Sequence, residues 1–156
     1  MARAWKTGDL DPSESLRTAI GKIARLRFQE MMSYEEEVLR GDDAESLHDM
    51  RVSVRRLRAL YRLCGACFPK KLCRQQEETL QKLAKMLGAV RERDVFIGQL
   101  ESFRKTLSER DGKAFDLLLA HEERARQESR RFLRKELRSL RRRGFRSSFE
   151  KLLERI

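Results

Sequence analysis

The chain has 156 residues, 39% of them charged and 40% hydrophobic, with a formal net charge of +11 and a pI near 10.1. That size fits one domain with its own core, without help from disulfides or metals. The charge balance calls for an anionic partner (nucleic acid, polyphosphate or an anionic membrane surface), and no apolar run reaches the roughly 18 residues of a membrane span. The first residues lack the apolar stretch of a secretory signal, so the expected location is the cytoplasm, with Cys64, Cys67 and Cys73 reduced.

Residues 1–12 read as a flexible leader that ends at Asp11-Pro12, and residues 13–156 as one helical domain. Ser13 is a candidate N-cap for a long first helix reaching Arg40, with Leu16, Ile20, Ile23, Ala24, Arg27, Met31, Tyr34 and Val38 at helical spacing. Gly41-Asp42-Asp43 stops it. A second helix is predicted from about Glu45 to Cys67, before Pro69. A third is predicted from about Leu72 through Ser108, with Gly88 as a possible bend, and Asp111-Gly112 reads as the next turn. A fourth helix spans about Lys113 to Arg142, Gly144 breaks it, and a short amphipathic helix, 145–156, closes the chain. Four long helices with short connections predict an all-α fold, an antiparallel four-helix bundle with a short C-terminal helix.

The second helix carries the sharpest pattern. On a helical wheel Met50, Val54, Leu57, Tyr61 and Cys64 form an apolar stripe. Beside it, within an arc of about 80°, lie His48, Arg51, Arg55, Arg58 and Arg62. Arg56 falls elsewhere. Between Arg51 and Gln76 there is no acidic residue, while eight positions are basic. A solvated helix face ordinarily mixes signs, because like charges at i,i+4 cost a few tenths of a kcal/mol each. Here Arg51–Arg55, Arg55–Arg58 and Arg58–Arg62 repel one another, and a bound anion would relieve that repulsion.

The run His48-Asp49-Met50-Arg51-Val52-Ser53-Val54-Arg55-Arg56-Leu57-Arg58 resembles the signature of the CHAD family, the conserved histidine α-helical domain. Asp43-Ala44-Glu45-Ser46-Leu47 is similar to its lead-in. Leu87-Gly88-Ala89-Val90-Arg91-Glu92-Arg93-Asp94-Val95 resembles a second family segment, with Glu92 where aspartate is usual. Leu137-Arg138-Ser139 through Phe145 and Leu152 is a weaker likeness to a third.

The resemblance implies a helical, non-catalytic binder of inorganic polyphosphate with a basic cavity and no cofactor. Its implied contacts are His48, Arg51, Arg55, Arg58 and Arg91, with Asp94 orienting a neighbouring arginine; the helical wheel adds Arg62 to the same row. Lys22, Arg25, Lys82 and Arg138 are candidate wall residues by their place on the helices. Residues 124–146 hold eleven basic residues against Glu128 and Glu136, and Arg130, Arg134, Arg138 and Arg141 recur at helical spacing as another candidate wall.

Family members stand alone or beside a triphosphatase-type domain, and some associate with polyphosphate granules, so both are candidate partners. The family's domain has two similar halves, and this sequence resembles one of them. A homodimer is therefore expected, with contacts from the apolar face of the helices flanking the arginine stripe together with the closing helix at Phe145, Phe149, Leu152 and Leu153.

Other chemistry has little support. Cys64-x-x-Cys67-x5-Cys73 lacks a fourth zinc ligand at a recognisable spacing. No Gly-rich phosphate loop, Ser/His/Asp set or paired-carboxylate metal motif is present. The alternative reading is a basic helical module that binds RNA or DNA.

Overall fold

In a computed structural model, which describes residues 4–8, 10–41 and 43–156, the fold is all-helical. Of the expected leader, residues 1–3 and 9 lie outside the described residues, as does Asp42 in the first helix-stopping run. Among the described residues the α-helices are α1 (Leu16–Ser33), α2 (Glu35–Arg40), α3 (Ala44–Leu63), α4 (Lys70–Arg104), α5 (Glu109–Arg142) and α6 (Phe145–Leu153). A 3-10 turn, Gly65–Cys67, joins α3 to α4. The long helices α1, α3, α4 and α5 form the bundle: α1 packs on α3, α3 on α4, and α4 along α5. Ion pairs Lys82–Glu136 and Arg104–Asp116, at 2.8 and 2.7 Å, run in opposite sequence directions and make α4 and α5 antiparallel.

Boundaries shift where side chains compete with local turn signals. Helix α1 is capped by Ser15, not Ser13: its hydroxyl accepts from the Thr18 amide at 3.1 Å. The expected single first helix breaks at Tyr34. Just before it, the Ser33 hydroxyl donates to the Glu30 carbonyl at 2.8 Å, a local bond that bends helices. Helix α2 ends at Gly41, whose φ of 85° is left-handed and whose open Cα face is taken up by the Arg134 guanidinium, which an added side chain would displace. Helix α4 continues without interruption through Gly88, which lies beside the core residues Leu87 and Val90. Asp111-Gly112 is not a turn but the first turn of α5. Ser108 caps that helix, accepting from the Asp111 amide at 3.2 Å, and the chain reverses through residues 105–107 instead.

The core follows the predicted stripe of α3: Met50, Val54 and Leu57 are fully buried and Tyr61 nearly so, with Leu80, Leu83, Leu87 and Val90 of α4 and Leu133 and Leu137 of α5. Tyr61 meets Phe68 edge-on with ring centroids 5.0 Å apart, and Cys67 and Cys73 are buried in the same cluster. Leu16 lies outside the core and is exposed.

Two buried carboxylates pin the layers. Glu30 accepts from Arg27 at 2.8 Å and from Arg56 at 2.9 Å, tying α1 to α3. Glu35 pairs with Arg141 of α5 at 3.2 Å and Arg146 of α6 at 3.3 Å. Helix α6 turns its apolar face inward: Phe149 stacks on Phe28 with centroids 3.8 Å apart, and Phe145, Phe149 and Leu152 are buried. The expected use of Phe145, Phe149 and Leu152 as a dimer contact is therefore corrected, since α1 and the core already cover them. Helices α4 and α5, 35 and 34 residues long, outrun α1 and α3, of 18 and 20, so their joined ends form a two-helix arm.

Candidate anion-binding site

The site is set by how α3 begins. Asp43 caps the helix, its carboxylate accepting from the amides of Glu45 at 2.9 Å and Ser46 at 3.0 Å. The Ser46 hydroxyl and these amides hold the Asp43 carboxyl below its usual range. With the helix started there, the apolar stripe faces the core and the arginine stripe falls along its border. Arg51 is half-buried and lies across Gly88 of α4: a Cβ added at Gly88 would stand 3.8 Å from the Arg51 Nε and 3.9 Å from a Glu92 carboxylate oxygen. The missing side chain thus leaves the guanidinium a seat on the α4 backbone. Arg58 is half-buried with its Nε buried and without a hydrogen-bond partner, and Arg55 and Arg62 are exposed.

Among the described residues, none of Arg51, Arg55, Arg58, Arg62 or Arg91 forms an ion pair. Lack of an ion pair is not special to these residues, since Arg124, Arg131 and Arg138 of α5 also form none among the described residues; the alignment of Arg51, Arg55, Arg58 and Arg62 along one face of α3 sets them apart. Arg56, on the same helix but off the stripe, is held by Glu30. Since α3 rises about 1.5 Å per residue, the four stripe arginines stand roughly 5 Å apart along about 16 Å of helix. Such a row can meet successive charges of a linear polyanion, each guanidinium offering a planar pair of donors.

A second group of arginines gathers at the N-terminal end of α3. Asp94 of α4, with a side chain 6% exposed, pairs with Arg130 at 3.2 Å and Arg126 at 3.5 Å, both from α5. Arg130 also donates to the Gly41 carbonyl, and Arg134 lies against Gly41. The Nε atoms of Arg126, Arg130 and Arg134 are buried without partners, as is Nδ1 of His48. Asp94 is thus shared between two guanidiniums of α5. Arg126 was not singled out in the sequence; its signal was the i,i+4,i+8 register with Arg130 and Arg134.

The other candidate wall residues sit elsewhere. Lys22 pairs with Glu14 at 2.6 Å, Arg25 with Glu150 of α6 at 2.6 Å, and Lys82 with Glu136 of α5 at 2.8 Å. Burial pushes the Glu136 carboxyl up, but bonding to Lys82 and the charges of Lys82 and Arg143 outweigh it and leave it below its usual range. Lys82 is thus committed to a carboxylate. Arg138 is exposed, and Arg141 is taken up by Glu35 and Glu36.

Fold and site together define a basic helical bundle with a row of unpaired arginines on one helix and a carboxylate-paired arginine cluster at that helix's start. The CHAD domain family model matches residues 22–155, nearly the whole chain, and the protein belongs to that family. A comparison with curated proteins finds no match. No helix among the described residues is long and apolar enough to cross a membrane.

Proposed function

We propose that this protein is a non-catalytic, cytoplasmic binder of inorganic polyphosphate, or of a closely similar linear phosphate polymer, which lies along the arginine row of α3. The observation that carries the reading is the alignment of arginines on one helix: Arg51, Arg55, Arg58 and Arg62 follow at helical spacing along α3 and form no ion pair among the described residues, whereas Arg56, on the same helix but off the stripe, is held by Glu30. An unpaired cationic row repels itself, and a polyanion removes that repulsion as it binds. Membership of the CHAD family supports the polymer's identity.

Single-stranded nucleic acid would want aromatic platforms for its bases. The row offers none: Tyr61, the aromatic of α3, is 2% exposed, and the exposed Phe96, Phe103 and Phe132 belong to α4 and α5. Polyphosphate granules, or a triphosphatase-type protein that works on the same polymer, are the partners this reading suggests.

The test is a competition at physiological salt, with long-chain polyphosphate displaced by single-stranded and duplex nucleic acid of matched charge. The reading expects polyphosphate to bind more tightly than either. Equal or tighter binding of nucleic acid transfers the function to the alternative class.

A further inference from the structure

The outer face of the α4–α5 pair carries a pattern that polyanion binding does not use. On α4, Ala89, Phe96 and Phe103 recur every seven residues; on α5, Leu118, Ala125 and Phe132 do the same. Residues seven apart stay on one face of a helix, drifting only about 20° per step. The antiparallel register of α4 and α5 sets the two series in three rows. In the outermost row Phe103 lies beside Phe115, one turn from Leu118, with ring centroids 5.5 Å apart. In the middle row Phe96 shares a shallow surface cavity with Glu122, one turn from Ala125. Phe96, Phe103, Leu118 and Phe132 are 43%, 54%, 40% and 54% exposed. Isolated exposed apolar side chains are ordinary on a protein surface, but a matched heptad series on two adjacent helices is the pattern of a helix-packing seam.

Charge indicates what covers it. Residues 89–132 hold ten basic and nine acidic residues, a net +1 within a chain of net +11. Nearly all the protein's excess charge lies outside this segment. A nucleic acid or anionic surface would be drawn to the remainder of the molecule. A second copy of the chain, repelled elsewhere, meets almost no net charge here.

We propose that two copies pair through this face, α4 and α5 of one against α4 and α5 of the other, across a two-fold axis. An isologous contact of this kind presents the same seam from both sides, so each phenylalanine row finds an apolar row opposite. The seam runs for about 21 Å on each helix. It leaves the arginine row of α3 outside the contact, so pairing is independent of polyanion and each copy keeps its own binding site.

The experiment is sedimentation velocity at tens of micromolar protein in about 0.15 M salt, where the screening length is roughly 8 Å. The wild type is compared with a Phe96→Asp/Leu118→Asp variant, both positions being exposed. The expected result is twice the 18.5 kDa chain mass for the wild type and a monomer for the variant, with helical circular dichroism unchanged. Polyphosphate affinity per chain should be the same for both, which keeps this result separate from the fate of the binding proposal. A wild-type monomer, an assembly larger than two, or a dimer that persists in the folded variant overturns the proposal.

Discussion

Replacing Arg51, Arg55 and Arg58 together by alanine should act in opposite directions on binding and on the free helix. The three changes remove the like-charge neighbours Arg51–Arg55, Arg55–Arg58 and Arg58–Arg62, which cost roughly 0.2–0.5 kcal/mol apiece, so relief amounts to about 1 kcal/mol. Against it stands the lost packing of the half-buried Arg51 and Arg58 stems. The two effects oppose each other, so the net change in stability should be small beside the change in binding.

Binding should change far more. A hydrogen bond to a charged group contributes about 1.5 kcal/mol at the low end of its range, and three approach ~4.5 kcal/mol before screening at the exposed Arg55 is counted. We expect affinity for polyphosphate to fall about 100- to 1000-fold. The slope of log affinity against log salt should become shallower by about two, at roughly 0.7 per phosphate contact in a single-stranded polymer. Isothermal titration at several salt concentrations, with urea melts of the free proteins, reads both quantities. A folded triple variant with wild-type affinity and slope would refute the placement of the site on α3.

Further outcomes follow from single contacts. Glu30→Ala strips a carboxylate 1% exposed from Arg27 and Arg56, and should cost about 3 kcal/mol, at the low end for a broken buried pair because both arginines retain some solvent; a denaturant midpoint equal to wild type would contradict it. Gly88→Leu fills the space beneath the Arg51 guanidinium, so polyphosphate affinity should drop while Gly88→Ala binds normally and raises the melting temperature slightly; equal binding by all three proteins would show that Arg51 needs no seat on α4. The Asp43 carboxyl is held low in the folded protein, so its stabilising part is present above the unfolded carboxylate pKa and is lost as pH falls through the folded value. Asp43→Asn should therefore flatten the acid limb of the melting-temperature profile, and an unchanged limb would remove Asp43 from the account.

The sequence displayed α3 clearly because two independent constraints overlap there. Core residues at helical spacing fix which way the helix faces, and the acid-free arginine row fixes what its border offers. Elsewhere one constraint was visible and its competitor was not. Gly88 reads as a breaker locally, yet the helix runs on through it, with Leu87 and Val90 anchored in the core. Asp111-Gly112 reads as a turn, yet Ser108 claims the Asp111 amide for a helix cap. The wheel shows that α6 is amphipathic but not that Phe28 waits to cover it. Arg25 and Lys82 point outward from their helices, but their partners, Glu150 and Glu136, lie 125 and 54 residues away, beyond any local pattern. The α5 arginines were legible as a register and not as a cluster, because Asp94 and the Gly41 carbonyl gather them only once the bundle has closed.

The central claim, that the unpaired arginine row of α3 is where a phosphate polymer lies, is tested most directly by following arginine side-chain Nε–H signals by NMR as polyphosphate is titrated in. The account predicts saturable shifts at Arg51, Arg55, Arg58 and Arg62, with the Glu30-bound Arg27 and Arg56 unmoved. Shifts spread evenly over the basic surface, or confined to Arg25 and the α5 arginines while the α3 row stays unchanged, would contradict it.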